Sequence, residues 1–430
     1  MLSTYNRFNA PAIGLRAACS VPNWSHVPQA PPDPILGVAA AYRVEKRKDK
    51  VNLSIGAYRD EIGRPYVLQC VREAESRLVR NPPGHEYLPI AGLESFTKGA
   101  LKMALGPDGE YVDHGRVASV QALSGTGSLT LAASFLASFA HKDELGNLPS
   151  VYLPAPTWGN HKKIFPMRGV PVKEYRYWDK RTGLVDIEAL LADVKAAPSG
   201  SVFLFHACAH NPTGADPTRA DWERIHEAVK AKRHLVIFDS AYQGFASGDP
   251  ENDAYALRLF AKRGAPPLMM ICQSFAKNLG LYGERVGALH VLCQDPKEAQ
   301  RVKSQLQIII RAMYSNPPAW GARLADQIFA DRELTMLWRK EMAMMAGRIG
   351  EMRGKLVEAL KDAGSKKDWE FIKKQIGMFS FTGMTKKQCQ AITNEHAVYL
   401  TMNGRISMAG LNDTNVAKVA KAIHDVTTRY

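Results

Sequence analysis

The sequence contains no run of the roughly 18–20 apolar residues that a helix needs to cross a bilayer, which argues against a membrane-spanning chain. Its six cysteines (Cys19, Cys70, Cys208, Cys272, Cys293 and Cys389) are far apart and never fall into C-x-x-C spacing. That pattern fits reduced, mostly buried thiols rather than a zinc ribbon, a dithiol redox motif or a disulfide-stapled secreted domain. Aromatic residues do not interleave with basic ones as they do in a nucleic-acid reader. The formal net charge is nevertheless +14. It is spread widely, and its densest cluster, residues 45–50 (EKRKDK), carries both signs and reads as solvated surface. What remains is a field that attracts small anions.

Acidic residues are also missing from the beginning of the chain, where the first is Asp33. Residues 1–23 hold Arg7, Arg16 and several Ser and Ala, and Arg16 interrupts the only apolar stretch. This suits an organellar transit peptide better than a secretory signal, with the mitochondrial matrix as destination and a short arm, 24–32, following it. The chain has 430 residues, 46% of them hydrophobic, enough for two domains with sizeable cores. Periodic helices alternate with short apolar strands, which predicts an α/β fold.

Four predicted strands end in chemically distinctive residues. Residues 116–123 lead into a tight turn, 124–127 (SGTG), ahead of an apolar helix over 128–140. Backbone N–H groups at such a helix start suit a phosphate. A strand over 202–209 leads to Asn211 in NPTG. The next ends in Asp239, with Tyr242 three residues on, and the last in Ser274, with Lys277 three residues on. Taken singly, each is also what an ordinary strand–helix turn or a structural Ser-x-x-Lys presents. His206, Cys208 and His210 alternate on the second of these segments and raise the question of a metal; with no fourth ligand in view, none is expected. Open α/β sheets bind ligands outside the carboxyl ends of their strands. A single pyridoxal 5′-phosphate would use all four ends: Lys277 as its imine-forming nucleophile and Asp239 as the acid that keeps its ring nitrogen protonated.

From about residue 23 to the C terminus the chain resembles the aspartate aminotransferases of the class-I, fold-type-I pyridoxal-phosphate family, nearest their mitochondrial form. The resemblance is carried by residues 25–38 (SHVPQAPPDPILGV), 51–59 (VNLSIGAYR), 86–90 (EYLPI), 124–127 (SGTG), 156–161 (PTWGNH), 206–214 (HACAHNPTG), 238–248 (FDSAYQGFASG), 273–287 (QSFAKNLGLYGERVG), 315–323 (SNPPAWGAR) and 404–410 (GRISMAG). One departure is residues 54–55 (SI), where the family usually has Gly-Val.

The resemblance implies a large domain, 65–344, with a mostly parallel seven-stranded sheet flanked by helices. A smaller α+β domain would combine 33–64 with 345–430, and a long helix over 342–361 would link the two. It implies that Ser124, Gly125, Thr126, Ser274 and Arg285 hold the cofactor phosphate, joined by Tyr87 of the partner subunit. Asn211 and Tyr242 would bond the ring's phenolic oxygen, and Trp158 would stack on the ring. His161 and His206 would stand behind Asp239. Arg405 would grip the substrate's α-carboxylate beside Gly56, Trp158 and Asn211, and Arg311 of the partner subunit its other carboxylate. The implied assembly is a homodimer with shared sites. The implied reaction is reversible ping-pong exchange, L-aspartate + 2-oxoglutarate = oxaloacetate + L-glutamate, with a broader aromatic or kynurenine aminotransferase as the alternative.

Overall fold

Strands β1 (Val117–Leu123), β2 (Val151–Ala155), β3 (Val172–Arg176), β4 (Val202–His206), β5 (Leu235–Ser240), β6 (Met269–Ser274) and β7 (Val286–Leu292) form one sheet in the order β1-β7-β6-β5-β4-β2-β3. All run parallel except β7, which is antiparallel to both β1 and β6. The computed structural model describes residues 24–31, 33–108, 110–262 and 269–430. Every residue of β4, β5, β6 and β7 is buried, as expected of central strands covered on both faces.

The alternation of side chains along each strand divides the interior into two cores. Phe203, Phe205, Val236, Phe238, Met269 and Ile271 face helices Ile187–Ala196, Arg219–Ala231 and Tyr255–Lys262. Their neighbours Val202, Leu204, Leu235, Ile237, Met270 and Cys272 face helices Ser124–Phe139 and Pro296–Tyr314. The α/β expectation therefore holds, with helices on both faces of a mostly parallel sheet.

Three element bounds differ from the sequence expectation. The helix expected from residue 128 already begins at Ser124, so the SGTG turn is its first turn. The strand expected over 202–209 stops at His206; beyond it the chain bends, with Ala209 at φ 49°. The helix expected over 342–361 runs from Arg332 to Asp362. Its first ten residues bury only Leu334, Trp338 and Glu341, too sparse an apolar stripe to read from composition, while the Asp331 side chain caps its start by accepting from Leu334 N.

Three short pairings lie apart from the main sheet: Val51–Asn52 with Val398–Tyr399, parallel, and Trp178–Asp179 with Leu184–Val185 and Phe379–Phe381 with Arg405–Ser407, both antiparallel. Pro34–Tyr430 form one compact unit. Within the unit that ends at Asp33, the described residues are exposed and include one turn, closed by Val27 N donating to Trp24 O. The expected leader, residues 1–23, lies outside the described residues. Among those described, no helix is long and apolar enough to cross a membrane.

Candidate active site

Because β1, β4, β5 and β6 are parallel, their carboxyl ends share one rim of the sheet. The antiparallel β7 begins at that rim: Val286 pairs with Leu123 and Gly287 with Ser274. Arg285, one residue before β7, is thereby delivered to the ends of β1 and β6. A cavity of about 480 Å³, partly open to solvent, occupies the rim and is lined by side chains from all five strand termini.

One end of the cavity is built to receive an anion. Ser124, Gly125 and Thr126 line it at the start of the 16-residue helix, whose first N–H groups have no intrahelical partner. Ser124 takes a left-handed φ of 59°, and its Oγ lies 2.8 Å from that of Ser274. Arg285 is exposed, lines the cavity and donates to Tyr282 O. The strands close tightly here: a Cβ on Gly287 would lie 2.4 Å from Gln273 O and 2.8 Å from Ser124 Cα. Gly287 closes the 273–287 motif, but the physical need for it arises only when three strands pair.

Deeper in the cavity sit Asp239 and Lys277. Asp239 is buried and accepts from His161 Nε2 at 3.0 Å. Burial opposes its charge, but the His161 bond and nearby positive groups more than offset this and hold the carboxyl below its usual range. His161 Nδ1 lies 2.8 Å from Thr157 Oγ1. Lys277 Nζ makes no hydrogen bond among the described residues and lies 5.1 Å from the centre of the Tyr242 ring. Burial pushes its amine below the ordinary lysine range, against the pull of Asp239 and with help from Arg285 and Arg405. Burial likewise raises the Tyr242 phenol and lowers His206 to about 3. Trp158 lines the wall, edge-on to His161 at 5.3 Å.

His206, Cys208 and His210 do not share a strand face, because β4 ends at His206. The rings of His206 and His210 meet at 4.2 Å, while Cys208 packs into a separate apolar cluster. In the cavity wall the ligand atoms that approach one another are those of His161, His206 and Asp239, and these are engaged in the bonds just described or, for His206 Nδ1, with Asn211 N at 3.2 Å; Glu395, His396 and Asp425 form a second such group elsewhere.

Arg405 adjoins the cavity through Asn211. It is 4% exposed, donating to Asn211 Oδ1 at 3.1 Å and to Ser54 O at 2.7 Å, and its Nε has no partner. No carboxylate neutralises it among the described residues, and burial lowers its pKa to about 10. Its guanidinium lies 4.2 Å from the centre of the Phe379 ring. Gly56 meets the tip of that ring, where a Cβ would lie 2.4 Å from Phe379 Cζ. Arg405 uses the carbonyl of Ser54, not its side chain, so the departure at 54–55 leaves this bond intact. Phe379 was not anticipated; only the pairing of Phe379–Phe381 with Arg405–Ser407 brings it here.

Two expected residues lie elsewhere on the chain. Tyr87 is 80% exposed and borders a surface groove with Asn316, Pro317 and Trp320. Arg311, in the last turn of helix Pro296–Tyr314, is exposed and donates to Ser315 Oγ. Neither lines the cavity of its own chain.

The aminotransferase class I and II model matches residues 48–423. The mitochondrial aspartate aminotransferase of Dictyostelium discoideum is 50% identical over 404 residues, 94% of this chain and 93% of that protein. Among solved structures, the Saccharomyces cerevisiae cytoplasmic aspartate aminotransferase superposes with a TM-score of 0.91 at 43% identity, covering 95% of this chain and 99% of that one. An aromatic-amino-acid aminotransferase from Burkholderia pseudomallei, covalently bound to pyridoxal phosphate, gives 0.89 at 40% identity, covering 94% of this chain and 100% of that one. The chain belongs to the class I and II aminotransferases.

Proposed function

We propose that this chain carries out pyridoxal 5′-phosphate-dependent amino transfer between L-aspartate and 2-oxoglutarate, giving oxaloacetate and L-glutamate. The observation that carries this reading is one cavity presenting a half-buried, unbonded amine, a buried carboxylate and a helix start with paired hydroxyls, next to an unneutralised guanidinium. The similarity to aspartate aminotransferases over nearly the whole chain supports it.

The residues present fit the cofactor. Lys277 would hold it covalently, Asp239 would face its ring nitrogen, and Asn211 and Tyr242 its ring oxygen. Trp158 would cover the ring, with His161 and His206 beneath Asp239. Ser124, Gly125, Thr126, Ser274, Arg285 and the partner subunit's Tyr87 would take the phosphate. When bound, the cofactor supplies an electron sink for the charge left when the substrate's Cα proton departs. Lys277 Nζ, with its basicity lowered by burial, accepts that proton and returns it. Asp239 keeps its charge at neutral pH because His161 donates to it. Arg405 forks onto the α-carboxylate, and Arg311 of the partner subunit onto the distal one, so a dicarboxylate of fixed span is selected.

This reading makes the enzyme a homodimer, since Tyr87 and Arg311 must be delivered by a second copy. It also assigns 33–64 and 345–430 to a smaller, substrate-responsive domain beside 65–344, and places the enzyme in the mitochondrial matrix. A second reading, turnover of aromatic amino acids, is favoured by the likeness to the Burkholderia enzyme. Purified protein should show visible absorbance that shifts on adding glutamate and should transfer amino groups from aspartate to 2-oxoglutarate. Absence of both would refute the reading.

A further inference from the structure

Helix Arg332–Asp362 carries a second buried guanidinium. Arg353 is 3% exposed and pairs with no carboxylate among the described residues. Its donors go to three main-chain carbonyls: Ile372 at 3.1 Å, Gly377 at 2.7 Å and Phe379 at 2.6 Å. Burial lowers its pKa to about 9, which still leaves it charged at neutral pH. An unneutralised buried cation is costly, and apolar residues could fill the same space more cheaply. Its three-carbonyl grip therefore calls for an explanation.

The gripped segment is the floor of the Arg405 site. Phe379 lies under the Arg405 guanidinium at 4.2 Å, meets the Tyr242 ring edge-on at 5.9 Å and abuts Gly56. Its strand pairs with the one carrying Arg405, Phe381 opposite Arg405 and Phe379 opposite Ser407. On the cavity side the segment is wedged against the NPTG loop: Ile376 N donates to Gly214 O at 2.6 Å, and a Cβ on Gly377 would lie 2.4 Å from Ala209 Cβ. Arg353 grips the same segment through its main-chain carbonyls. The same helix reaches the catalytic amine's loop, where Trp338 Nε1 donates to Asn278 O at 2.7 Å. One helix thus anchors both the loop next to Lys277 and the platform under Arg405.

We propose that Arg353 is a positioning residue for α-carboxylate recognition, fixing the Phe379 ring on which Arg405 rests. The proposal rests on the reading that Arg405 binds the α-carboxylate. It distinguishes Arg353 from Arg311, because the α-carboxylate is common to every amino acid and the distal carboxylate is not.

The test uses holoenzyme variants Arg353→Met, Arg353→Lys and Phe379→Leu, assayed with aspartate and with phenylalanine, alongside cofactor absorbance and Tm. Arg353→Met should raise KM for both amino acids by the same factor, up to about thirtyfold, the scale of losing a buried cation–π contact. Cofactor absorbance should stay unchanged, Arg353→Lys should recover part of the loss, and Phe379→Leu should reproduce it with Arg353 intact. If Arg353→Met does not fold, the other two variants decide. A fall in Tm with unchanged KM, or a loss confined to aspartate, would overturn the proposal. Wild-type enzyme that converts neither amino acid would overturn the reading of the site, and the proposal with it.

Discussion

Arg405 Nη1 donates to Asn211 Oδ1 at 3.1 Å, which joins the guanidinium on a short outlying strand to the amide just past the end of β4. The two side chains form one hydrogen-bonded unit beside the cavity. Replacing Asn211 by Ala leaves Arg405 with Ser54 O as its one remaining hydrogen-bond partner. A hydrogen bond to a charged group is worth about 1.5–3 kcal/mol, so KM for aspartate should rise about tenfold or more. Steady-state kinetics at fixed 2-oxoglutarate checks this.

The Asp239 charge should be indispensable. Asp239→Asn removes the only buried carboxylate that lines the cavity among the described residues. Breaking a buried ion pair costs about 3–5 kcal/mol, so kcat should fall by at least about two orders of magnitude. His161→Ala should cost less, because the carboxylate survives but loses its donor. Single-turnover absorbance changes with glutamate separate the two variants.

Arg311 and Arg405 should separate by substrate. Arg311→Gln is expected to damage aspartate turnover by two orders of magnitude or more, about 3 kcal/mol for a charge-assisted fork, and to leave phenylalanine turnover nearly unchanged. Comparing kcat/KM for the two amino acids in one preparation measures this directly.

Mild acid should weaken the fold through its buried histidines, while Asp216, pushed up to about 7 by burial, takes up a proton in the folded state over the same range and opposes part of the loss. His206 and His290 are lowered to about 3 by burial, and burial lowers His210 and His234 as well. These folded-state pKa values lie below the unfolded histidine value near 6.5, so the unfolded chain binds the extra protons. Stability therefore falls as pH drops through about 6.5, by up to about 1.4 kcal/mol per pH unit for each such histidine. Urea unfolding of cofactor-free protein between pH 7.5 and 5 should show this slope. In His290→Gln the slope should shrink by one proton.

How far the sequence revealed the site depended on whether a residue's role is local. Ser124, Asp239, Ser274 and Lys277 each follow an apolar strand at short spacing, so the sheet rule alone placed them together. Arg285 is legible through its motif, but its position makes physical sense only once β7 is seen to run backwards between β1 and β6. Phe379 and Arg353 left no local signal, because each is defined by segments far apart in the chain. The supposed His206–Cys208–His210 face failed for a local reason: the left-handed Ala209 and the turn into NPTG end the strand that the apolar run suggested.

The account stands on Lys277 being the residue that carries the cofactor. Purified holoenzyme should be reduced with borohydride, digested and mapped by peptide mass spectrometry. The expected result is one modified lysine, Lys277, with visible absorbance lost in step and labelling abolished in Lys277→Ala. A cofactor adduct on another lysine, or none on active enzyme, would contradict it.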